Sequence, residues 1–473
     1  MILKGRDRMR TNELMLYKNM EYGELLKDMT FLMDNHGNEY YNREDLRSLL
    51  FECINRLLEL SVSHGFEGNL WHTYLTFLLV NDENAYSTSC EITGGTEGSI
   101  NEIALHDFEI FKELFDYDFS AMESNLGAGC VQILMDYKNG SNSGKIFNRR
   151  IRDRICHLAE GLGSASDTAD FQRKMTQFYK EFGVGKLGLH KAFRIEHPEG
   201  GRMEIVPITN IAHVHLDDLV GYEIAKKKLI DNTEAFVQGR RANNCLLFGD
   251  AGTGKSSSIK AVLNQYYDQG LRMIEVYKHQ FKDLNEVIAQ VKNRNYKFII
   301  YMDDLSFEEF EIEYKYLKAV IEGGLERKPE NVLIYATSNR RHLIRETFRD
   351  KADRDEELHT NDTVQEKLSL VARFGVTIYF GSPDKKEFQE IVRVLAKKGG
   401  IDMPEEELML EANKWELSHG GLSGRTAQQF IDYLMGKSGF VCEDRWSIER
   451  PKTAEYFKAY SRRAGIWLRF RFR

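Results

Sequence analysis

The stretch that most constrains the fold is LLFGDAGTGKSSSIK at residues 246–260. The apolar run CLLF precedes a glycine-rich loop, and SSIKAVLNQYY after the loop has the pattern of a helix. Gly249, Gly254, Lys255 and Ser256 match the pattern GxxxxGK[ST]. Glycines in this pattern allow positive φ angles and bring the backbone close to a ligand. The strand–loop–helix order therefore predicts a phosphate-binding loop that leads into a helix N-terminus.

Each part of this loop has a predicted role. Its N–H groups and the helix dipole would face phosphate oxygens. The Lys255 ammonium would lie against the β- and γ-phosphates of ATP, and the Ser256 hydroxyl would ligate Mg²⁺. The residues predicted to bind nucleotide are Gly249, Asp250, Ala251, Gly252, Thr253, Gly254, Lys255, Ser256 and Ser257.

Two later apolar runs end in polar residues. KFIIYMDDL (297–305) ends in paired aspartates, and VLIYATSNRR (332–341) ends in a polar cluster. Asp303 is predicted to hold the metal, and Asp304 to polarise the attacking water. Asn339 would reach the γ-phosphate or the same water, although the sequence equally allows a helix N-cap there.

The chain changes character near residue 200. The segment before Pro198 has no proline and carries apolar residues at three- and four-residue steps, which favours helices. From about residue 210, apolar runs at 245–249, 273–277, 298–303, 332–337 and 376–380 alternate with helical patterns. This predicts an α/β fold with a five-stranded parallel sheet and helices on both faces. Amphipathic helical patterns follow Phe380.

The predicted organisation has four parts. Residues 1–200 form a mostly helical N-terminal region, and residues 210–382 form the α/β nucleotide-binding domain. Residues 383–440 form a helical lid, and residues 441–473 form a C-terminal helix with a basic and aromatic tail.

Composition excludes several classes of protein. The net charge of −8 means that any nucleic-acid contact would need a local basic patch. The six cysteines are scattered without a CxxC pair, which argues against a zinc site or a disulfide framework. The N-terminal residues do not resemble a signal peptide, and the longest apolar stretch, near residues 73–80, is too short to span a membrane. We expect a cytoplasmic protein that is not integral to a membrane.

The order of these motifs resembles the AAA+ ATPase module from about Leu216 to Lys437. HLDDLVGYE (215–223) resembles the segment that contacts adenine, and SLVARFGV (369–376) resembles the arginine-finger box. GLSGRTAQQF (421–430) resembles the second sensor. The whole chain is similar to a bacterial group of AAA+ proteins of unassigned function, through MDDLSFEEFE, ATSNRRHLIRE and KHQFKDL.

The resemblance implies an oligomer in which ATP lies between subunits. Arg373 would enter the neighbouring subunit's site, and Arg425 would report the nucleotide state to the lid. The output would be remodelling of an unidentified macromolecular partner, recognised by the N-terminal region. Most of the superfamily has Glu where this chain has Asp304. The branch of replication initiators and helicase loaders commonly has the same pair of aspartates, so the resemblance implies slow hydrolysis.

The sequence does not identify the macromolecular partner. YKHQFKDLN (277–285) lacks the glycine of a protein-threading loop. We interpret Tyr277 and Phe281 as core or interface residues, and Lys278 and His279 as a solvated loop. The tail SRRAGIWLRFRFR interleaves arginines with aromatic residues, which gives weak support to nucleic-acid contact. The alternatives are a nucleotide-gated switch or loader acting on a DNA-bound partner, and a scaffold with vestigial nucleotide binding.

Overall fold

The structure is a computed structural model, and it describes residues 9–138, 149–198, 201–209, 211, 214–307, 311–322, 329–340, 343 and 370–438. The charged insertion at 345–367, Arg341 and the tail at 441–473 lie outside these residues. The chain divides into two compact units. Unit 1 comprises residues 1–249 and 255–380, and unit 2 comprises residues 250–254 and 381–473.

The N-terminal part of unit 1 is helical. Its helices are α1 (Glu24–Asn35), α2 (Arg43–His64), α3 (Leu70–Asn81), α4 (Ala85–Thr93), α5 (Ser99–Phe115), α6 (Ser120–Leu126), α7 (Val131–Met135), α8 (Arg149–Gly163), α9 (Thr168–Phe182) and α10 (Gly185–Leu189). Ten of the twelve residues of α3 are buried, so this helix runs through the core of the bundle. Asparagine side chains cap α2, α3 and α4 and satisfy N–H groups that the helix leaves without partners.

A seven-stranded sheet follows in the same unit. Its strands are β1 (Ala192–Glu196), β2 (Glu204–Pro207), β3 (Cys245–Gly249), β4 (Leu271–Glu275), β5 (Lys297–Met302), β6 (Val332–Ser338) and β7 (Val376–Phe380). The strand order is β2-β1-β4-β5-β6-β3-β7. The β1–β2 pair is antiparallel, and the other neighbouring pairs are parallel. The predicted α/β class is confirmed.

The predicted count of five strands was wrong. β1 pairs in parallel with β4, so that Phe193 lies opposite Ile274. β2 then pairs antiparallel with β1, so that Arg194 lies opposite Val206. Both strands are short, and each carries charged residues. Their apolar content alone therefore does not mark them as strands, and β1 is stabilised by its pairing with β4.

Helices cover both faces of the sheet: α11 (Glu223–Val237), α12 (Lys255–Tyr266), α13 (Leu284–Val291) and α14 (Glu313–Glu322). Successive residues of β5 enter different apolar clusters, as the two-residue period of a strand requires. Phe298 packs in the cluster that contains Val287 of α13, whereas Ile299 packs with Val262 of α12. Burial on both faces explains the continuous apolar runs of β3, β5 and β6.

Unit 2 contains the lid helices α15 (Lys385–Lys398), α16 (Glu405–Ser418) and α17 (Gly424–Ser438). α15 begins with a capping box. The Asp384 side chain accepts hydrogen bonds from the backbone N–H groups of Lys386 and Glu387, and the Glu387 side chain accepts one from the backbone N–H of Asp384. Phe388 and Ile431 are among the buried apolar residues of α15 and α17. The C-terminal helices of the predicted fold class are therefore present.

A buried ion pair ties the N-terminal helices to the sheet within unit 1. Arg294, just beyond α13, is 8% exposed, and Glu91 of α4 is 1% exposed. Arg294 Nε donates to Glu91 Oε1 at 2.7 Å, and a second guanidinium nitrogen donates to Glu91 Oε2 at 2.8 Å. The same guanidinium reaches Glu83 and the carbonyl of Val184. Every charged group in this buried contact therefore has a hydrogen-bond partner.

Arg272 of β4 makes a second connection between the same parts. Its guanidinium donates to the carbonyls of Leu187 and Gly188 in α10. Its charged end lies over the rings of Tyr267 and Tyr296, at 4.3 and 4.2 Å from their centroids. Burial lowers the pKa of Arg272, and the carbonyls and ring faces compensate the desolvated cation.

Replacing Glu91 with Gln should destabilise unit 1 by about 3–5 kcal/mol, because the change leaves a buried guanidinium without its counter-charge. Glu24→Gln is the matched control, since Glu24 pairs with Lys27 on an exposed surface, where ion pairs contribute little to stability. Chemical denaturation of both variants measures the difference. Equal unfolding midpoints would contradict the assignment.

Candidate functional site

The site begins where β3 ends. Gly249 has φ +137°, and a Cβ at this position would lie 2.0 Å from the Phe380 carbonyl oxygen of β7. Only glycine fits this close approach of two backbones. Lys255, the first residue of α12, is 6% exposed, and its Nζ donates to the Gly249 carbonyl at 3.0 Å. The structure thus holds the Lys255 ammonium at the end of β3. Ser257 lies in the same first turn of α12.

Asp303 is the meeting point of three elements. It follows β5 directly, and its Oδ1 accepts a hydrogen bond of 2.7 Å from Ser256 Oγ of α12. The same oxygen accepts a hydrogen bond of 2.5 Å from Thr337 Oγ1 of β6. The two residues predicted to ligate Mg²⁺, Ser256 and Asp303, are therefore in direct contact, and Thr337 adds a second hydroxyl.

The environment of Asp303 favours the ionised carboxylate. Desolvation alone would raise its pKa, but hydrogen bonds from Thr337 and Ser256 help to outweigh that effect, and Lys260 adds a favourable charge. The pKa of Asp303 therefore lies below its ordinary value of 3.8. A carboxylate that remains ionised and exposed at a strand end is a suitable ligand for a hard cation.

Asp304 is held in an unusual backbone conformation. Its φ is +51°, in the left-handed region that few residues other than glycine adopt. Its backbone N–H donates to Thr337 Oγ1 at 2.9 Å. Its carboxylate accepts a hydrogen bond of 2.8 Å from Asn339 Nδ2. Both side chains are exposed, so the Asp304 carboxylate is positioned by its neighbours while it remains accessible to water.

Thr337 is a site residue that the sequence analysis missed. Its hydroxyl donates to Asp303 and accepts from the N–H of Asp304, so it orients both acids. The register explains the contact, because Met302 lies opposite Ala336 in the β5–β6 pair and the next residues are therefore adjacent. The available signal was a polar residue inside the apolar run VLIYATS.

The loop residues 250–254 belong to unit 2 with the lid helices. Gly252 and Gly254 have φ angles of +75° and +90°. The Gly252 carbonyl accepts a hydrogen bond of 3.1 Å from the backbone N–H of Arg425, the second residue of α17. Asp250 Oδ2 accepts from the backbone and hydroxyl of Ser382 at 2.8 and 3.0 Å.

Two further contacts shape this loop within unit 2. The Thr253 hydroxyl donates to the Asp250 carbonyl at 2.8 Å. A Cβ on Gly252 would lie 3.0 Å from Arg425 Cβ, so the start of α17 packs directly on the loop. The Arg425 side chain itself is exposed. The loop and the start of the predicted sensor helix are therefore one local structure.

Arg373, the predicted arginine finger, forms an ion pair with Glu322 at the C-terminal end of α14. It follows Leu370 in a short helical turn just before β7. Its side chain is partly exposed. Arg373 is therefore held by a carboxylate of the same chain.

The loop after β4 agrees only in part with its interpretation. Phe281 is buried in the sheet cluster, as expected for a core residue. Tyr277 is half-exposed and stacks in parallel on His279, with centroids 6.1 Å apart. Lys278 forms an ion pair with Glu311 at 2.7 Å, and its side chain is 40% exposed.

The donor set fits a magnesium nucleotide better than a metal bound by protein alone. Among the described residues there is no group of three or more His, Cys, Asp and Glu side chains that could hold a metal ion. Ser256 and Asp303 supply oxygen donors at one point. Mg²⁺ commonly takes one or two protein ligands and completes its coordination with water and phosphate oxygens.

A family model matches the part of the chain that contains the sheet and the C-terminal helices. The family model described as "Protein of unknown function (DUF815)" matches residues 188–438. A search of curated proteins found no match. No helix in the described part of the chain is both long and apolar enough to cross a membrane.

The chain is also similar to AAA+ domains of known structure. One is the Holliday junction branch migration motor RuvB of Thermotoga maritima, at 14% identity and a TM-score of 0.31. The match covers 54% of this chain and 85% of RuvB. Another is the AAA domain of FIGL-1 in complex with ADP, at 16% identity and a TM-score of 0.33, covering 54% and 91%.

Replacing Thr337 with Val should raise the pKa of Asp303 toward its ordinary value, because the variant lacks the hydrogen bond that stabilises the ionised carboxylate. A lowered native pKa contributes stability that is present above 3.8 and is lost as the pH falls through the native pKa. As the pH falls, the variant should lose the stability that the ionised Asp303 contributes at a higher pH than the unmodified chain does. Titration of ¹³C-carboxyl-labelled aspartate by NMR measures the shift, with Asp303→Asn to assign the signal.

Thr233→Val is the matched control for this experiment. Thr233 is also a buried threonine, and its hydroxyl lies between the Leu229 carbonyl and the Tyr335 hydroxyl. The pKa of Asp303 should be the same in this variant as in the unmodified chain. An Asp303 pKa that does not move in Thr337→Val would show that Thr337 has no effect on this carboxylate.

Proposed function

The chain belongs to the DUF815 family, and from this premise we propose that it binds ATP with Mg²⁺ and hydrolyses it to drive a conformational change in a macromolecular partner. The observation that carries the proposal is the shared Oδ1 of Asp303, which accepts from Ser256 and Thr337. The contact joins the first turn after the glycine-rich loop to the paired aspartates. These features lie 47 residues apart in the chain, so their meeting depends on the fold.

The binding part of the proposal rests on Lys255 and the start of α12. A buried ammonium at a helix N-terminus favours phosphate, since both the ammonium and the helix dipole attract negative charge. Ser256 and Asp303 would hold Mg²⁺, which would supply charge neutralisation on the phosphate oxygens. No large acidic cluster is needed, because the nucleotide supplies the remaining ligands.

The hydrolytic part rests on Asp304 and Asn339. Asp304 would accept a hydrogen bond from the attacking water and orient it toward the γ-phosphate. Asn339 donates to the same carboxylate, and it fixes the direction of the second oxygen. Thr337 holds the Asp304 backbone in place. Positioning of this kind is the main source of catalysis in phosphoryl transfer.

We further propose that the site is completed by a second copy of the chain. Arg373 pairs with Glu322 of its own subunit, and in an oligomer it would exchange this carboxylate for the nucleotide of a neighbour. An arginine supplied in this way is worth about 10³–10⁵ in rate. A monomer should then bind ATP but turn it over slowly.

The lid would sense the loop through its backbone. Gly252 accepts from the N–H of Arg425, so a change in the loop on phosphate binding would reach the first turn of α17. The exposed Arg425 side chain would then contribute a positive charge toward the nucleotide. This coupling is the part of the site that would convert nucleotide state into movement of α17.

A nucleotide-gated switch with slow turnover is the second candidate. The observation that favours it is the hydrogen bond between Asn339 and Asp304, which occupies one oxygen of a short carboxylate. Steady-state turnover with and without DNA separates the two. Turnover stimulated by DNA supports a loader acting on a DNA-bound partner, and turnover stimulated only by an unfolded protein supports an unfoldase.

Lys255→Ala should weaken ATP binding by about 10- to 100-fold, because a charge-assisted contact worth about 1.5–3 kcal/mol is lost. Lys228→Ala, on the exposed side of α11, is the matched control and should bind as the unmodified chain does. Isothermal titration with MgATP measures both. Unchanged affinity in Lys255→Ala would favour a scaffold with vestigial nucleotide binding.

Arg373→Ala should retain ATP binding and lose turnover. Asp304→Asn should also bind ATP without hydrolysing it, because the amide cannot take a proton. Mixing the two inactive variants should restore part of the activity, since some interfaces then combine an intact Asp304 with an intact Arg373. Steady-state ATPase assays over a range of mixing ratios measure this. Mixtures that stay inactive at every ratio would argue against a shared site.

A further inference from the structure

Unit 2 contains an aromatic cavity that the nucleotide site does not use. It has a volume of about 540 Å³ and lies between α16 and α17. Trp415 is its central ring, 4.8 Å from the Tyr433 ring and 6.0 Å from that of Phe430. Phe430 is buried, whereas Tyr433 is 44% exposed. Because His419 stacks on Trp415 at 3.7 Å, the half-exposed Tyr433 ring is the main aromatic surface that the cavity offers to a ligand from outside.

The cavity has polar groups that lack partners. Trp415 Nε1 is buried without a hydrogen-bond acceptor among the described residues, although buried indole N–H groups usually have one. Asp402 and Glu407 also line the cavity, and neither forms an ion pair with another residue that the structure describes. A ligand with a cation and a carbonyl oxygen would satisfy all three groups.

One cation already contacts these rings. Lys437 Nζ lies 4.9 Å from the Tyr433 centroid, so this ring face accepts positive charge. Lys414 is neutralised by Glu411 at 2.6 Å, which leaves the carboxylates of Asp402 and Glu407 to set the charge of the entrance. Arginine suits such a cavity better than lysine, because its planar guanidinium stacks on rings and pairs with carboxylates at the same time.

We propose that residues 461–473 of the same chain bind in this cavity. The segment reads SRRAGIWLRFRFR and carries five arginines and no acidic residue. Its arginines would meet Asp402 and Glu407, its Trp467, Phe470 and Phe472 would pack on the cavity rings, and a backbone carbonyl would accept from Trp415 Nε1. The proposal does not depend on the nucleotide site.

The connection is long enough for binding in the same chain. Tyr433 and Lys437 belong to the last helix before residue 439, and residues 439–460 join that helix to the segment. A connection of this length spans up to about 70 Å when extended. A tethered segment binds at an effective concentration in the millimolar range, so modest contacts suffice.

Photo-crosslinking of the full chain tests the proposal. A benzoylphenylalanine in place of Phe470, and separately in place of Trp467, would be irradiated in a mixture of isotopically light and heavy chains. Mass spectrometry should find crosslinks to residues 401–437 from both positions, within light or heavy chains alone. Light-to-heavy crosslinks would assign the segment to a second copy, and crosslinks elsewhere or to added nucleic acid would overturn the proposal.

Matched variants test the chemistry. Asp402→Asn combined with Glu407→Gln should lower the cavity crosslink at least about 5-fold, because the charge attraction is lost. Glu406→Gln, on an exposed neighbour in α16, should leave it unchanged. Trp415→Phe keeps a ring but removes the N–H donor, and it should lower the yield about 2- to 5-fold. An equal yield in all four proteins would refute binding in this cavity.

Discussion

The site depends on one carboxylate oxygen. Asp303 Oδ1 accepts from a helix residue, Ser256, and from a strand residue, Thr337. The contact is possible because β5, β6 and β3 are neighbours in that order and run parallel. Their C-terminal ends therefore lie side by side at one edge of the sheet. In open α/β sheets, ligands bind at this edge. The hydroxyls also keep the carboxylate ionised, which links the packing of three elements to the charge of the site.

The N-terminal helices are part of the same unit as the sheet. Glu91 and Arg294 lie 203 residues apart in sequence, yet their side chains form a buried ion pair. Arg294 also donates to Glu83 and to the Val184 carbonyl. β1 then adds the end of the N-terminal region to the sheet beside β4. The ion pair and the strand pairing therefore lie within one compact unit, which also contains Asp303. If the N-terminal region recognises a partner, the partner would therefore be held by the same body that carries Asp303.

The sequence predicted the parts whose signal is local. The glycine pattern, the apolar runs of β3, β5 and β6 and the lid helices each depend on neighbouring residues, so they could be found without a structure. Thr337 could not, because its role follows from the register between β5 and β6. β1 and β2 were missed because they are short strands with charged residues, and their strand structure depends on pairing with other strands. The role of Arg294 was missed because its partner Glu91 is distant in sequence. The contact between Arg373 and Glu322 depends in the same way on tertiary structure.

The conformation of Asp304 gives a physical reason for the departure from glutamate. Its φ of +51° places it in the left-handed region, which aspartate and asparagine adopt more readily than residues with longer side chains. The N–H of Asp304 is directed at Thr337 in this conformation, so the backbone turn and the choice of a short acid belong together. A glutamate here would add a methylene group and a backbone penalty. Aspartate therefore fits a turn that holds its carboxylate against Asn339. The turn and the length of the side chain together would set the distance from this carboxylate to the proposed attacking water.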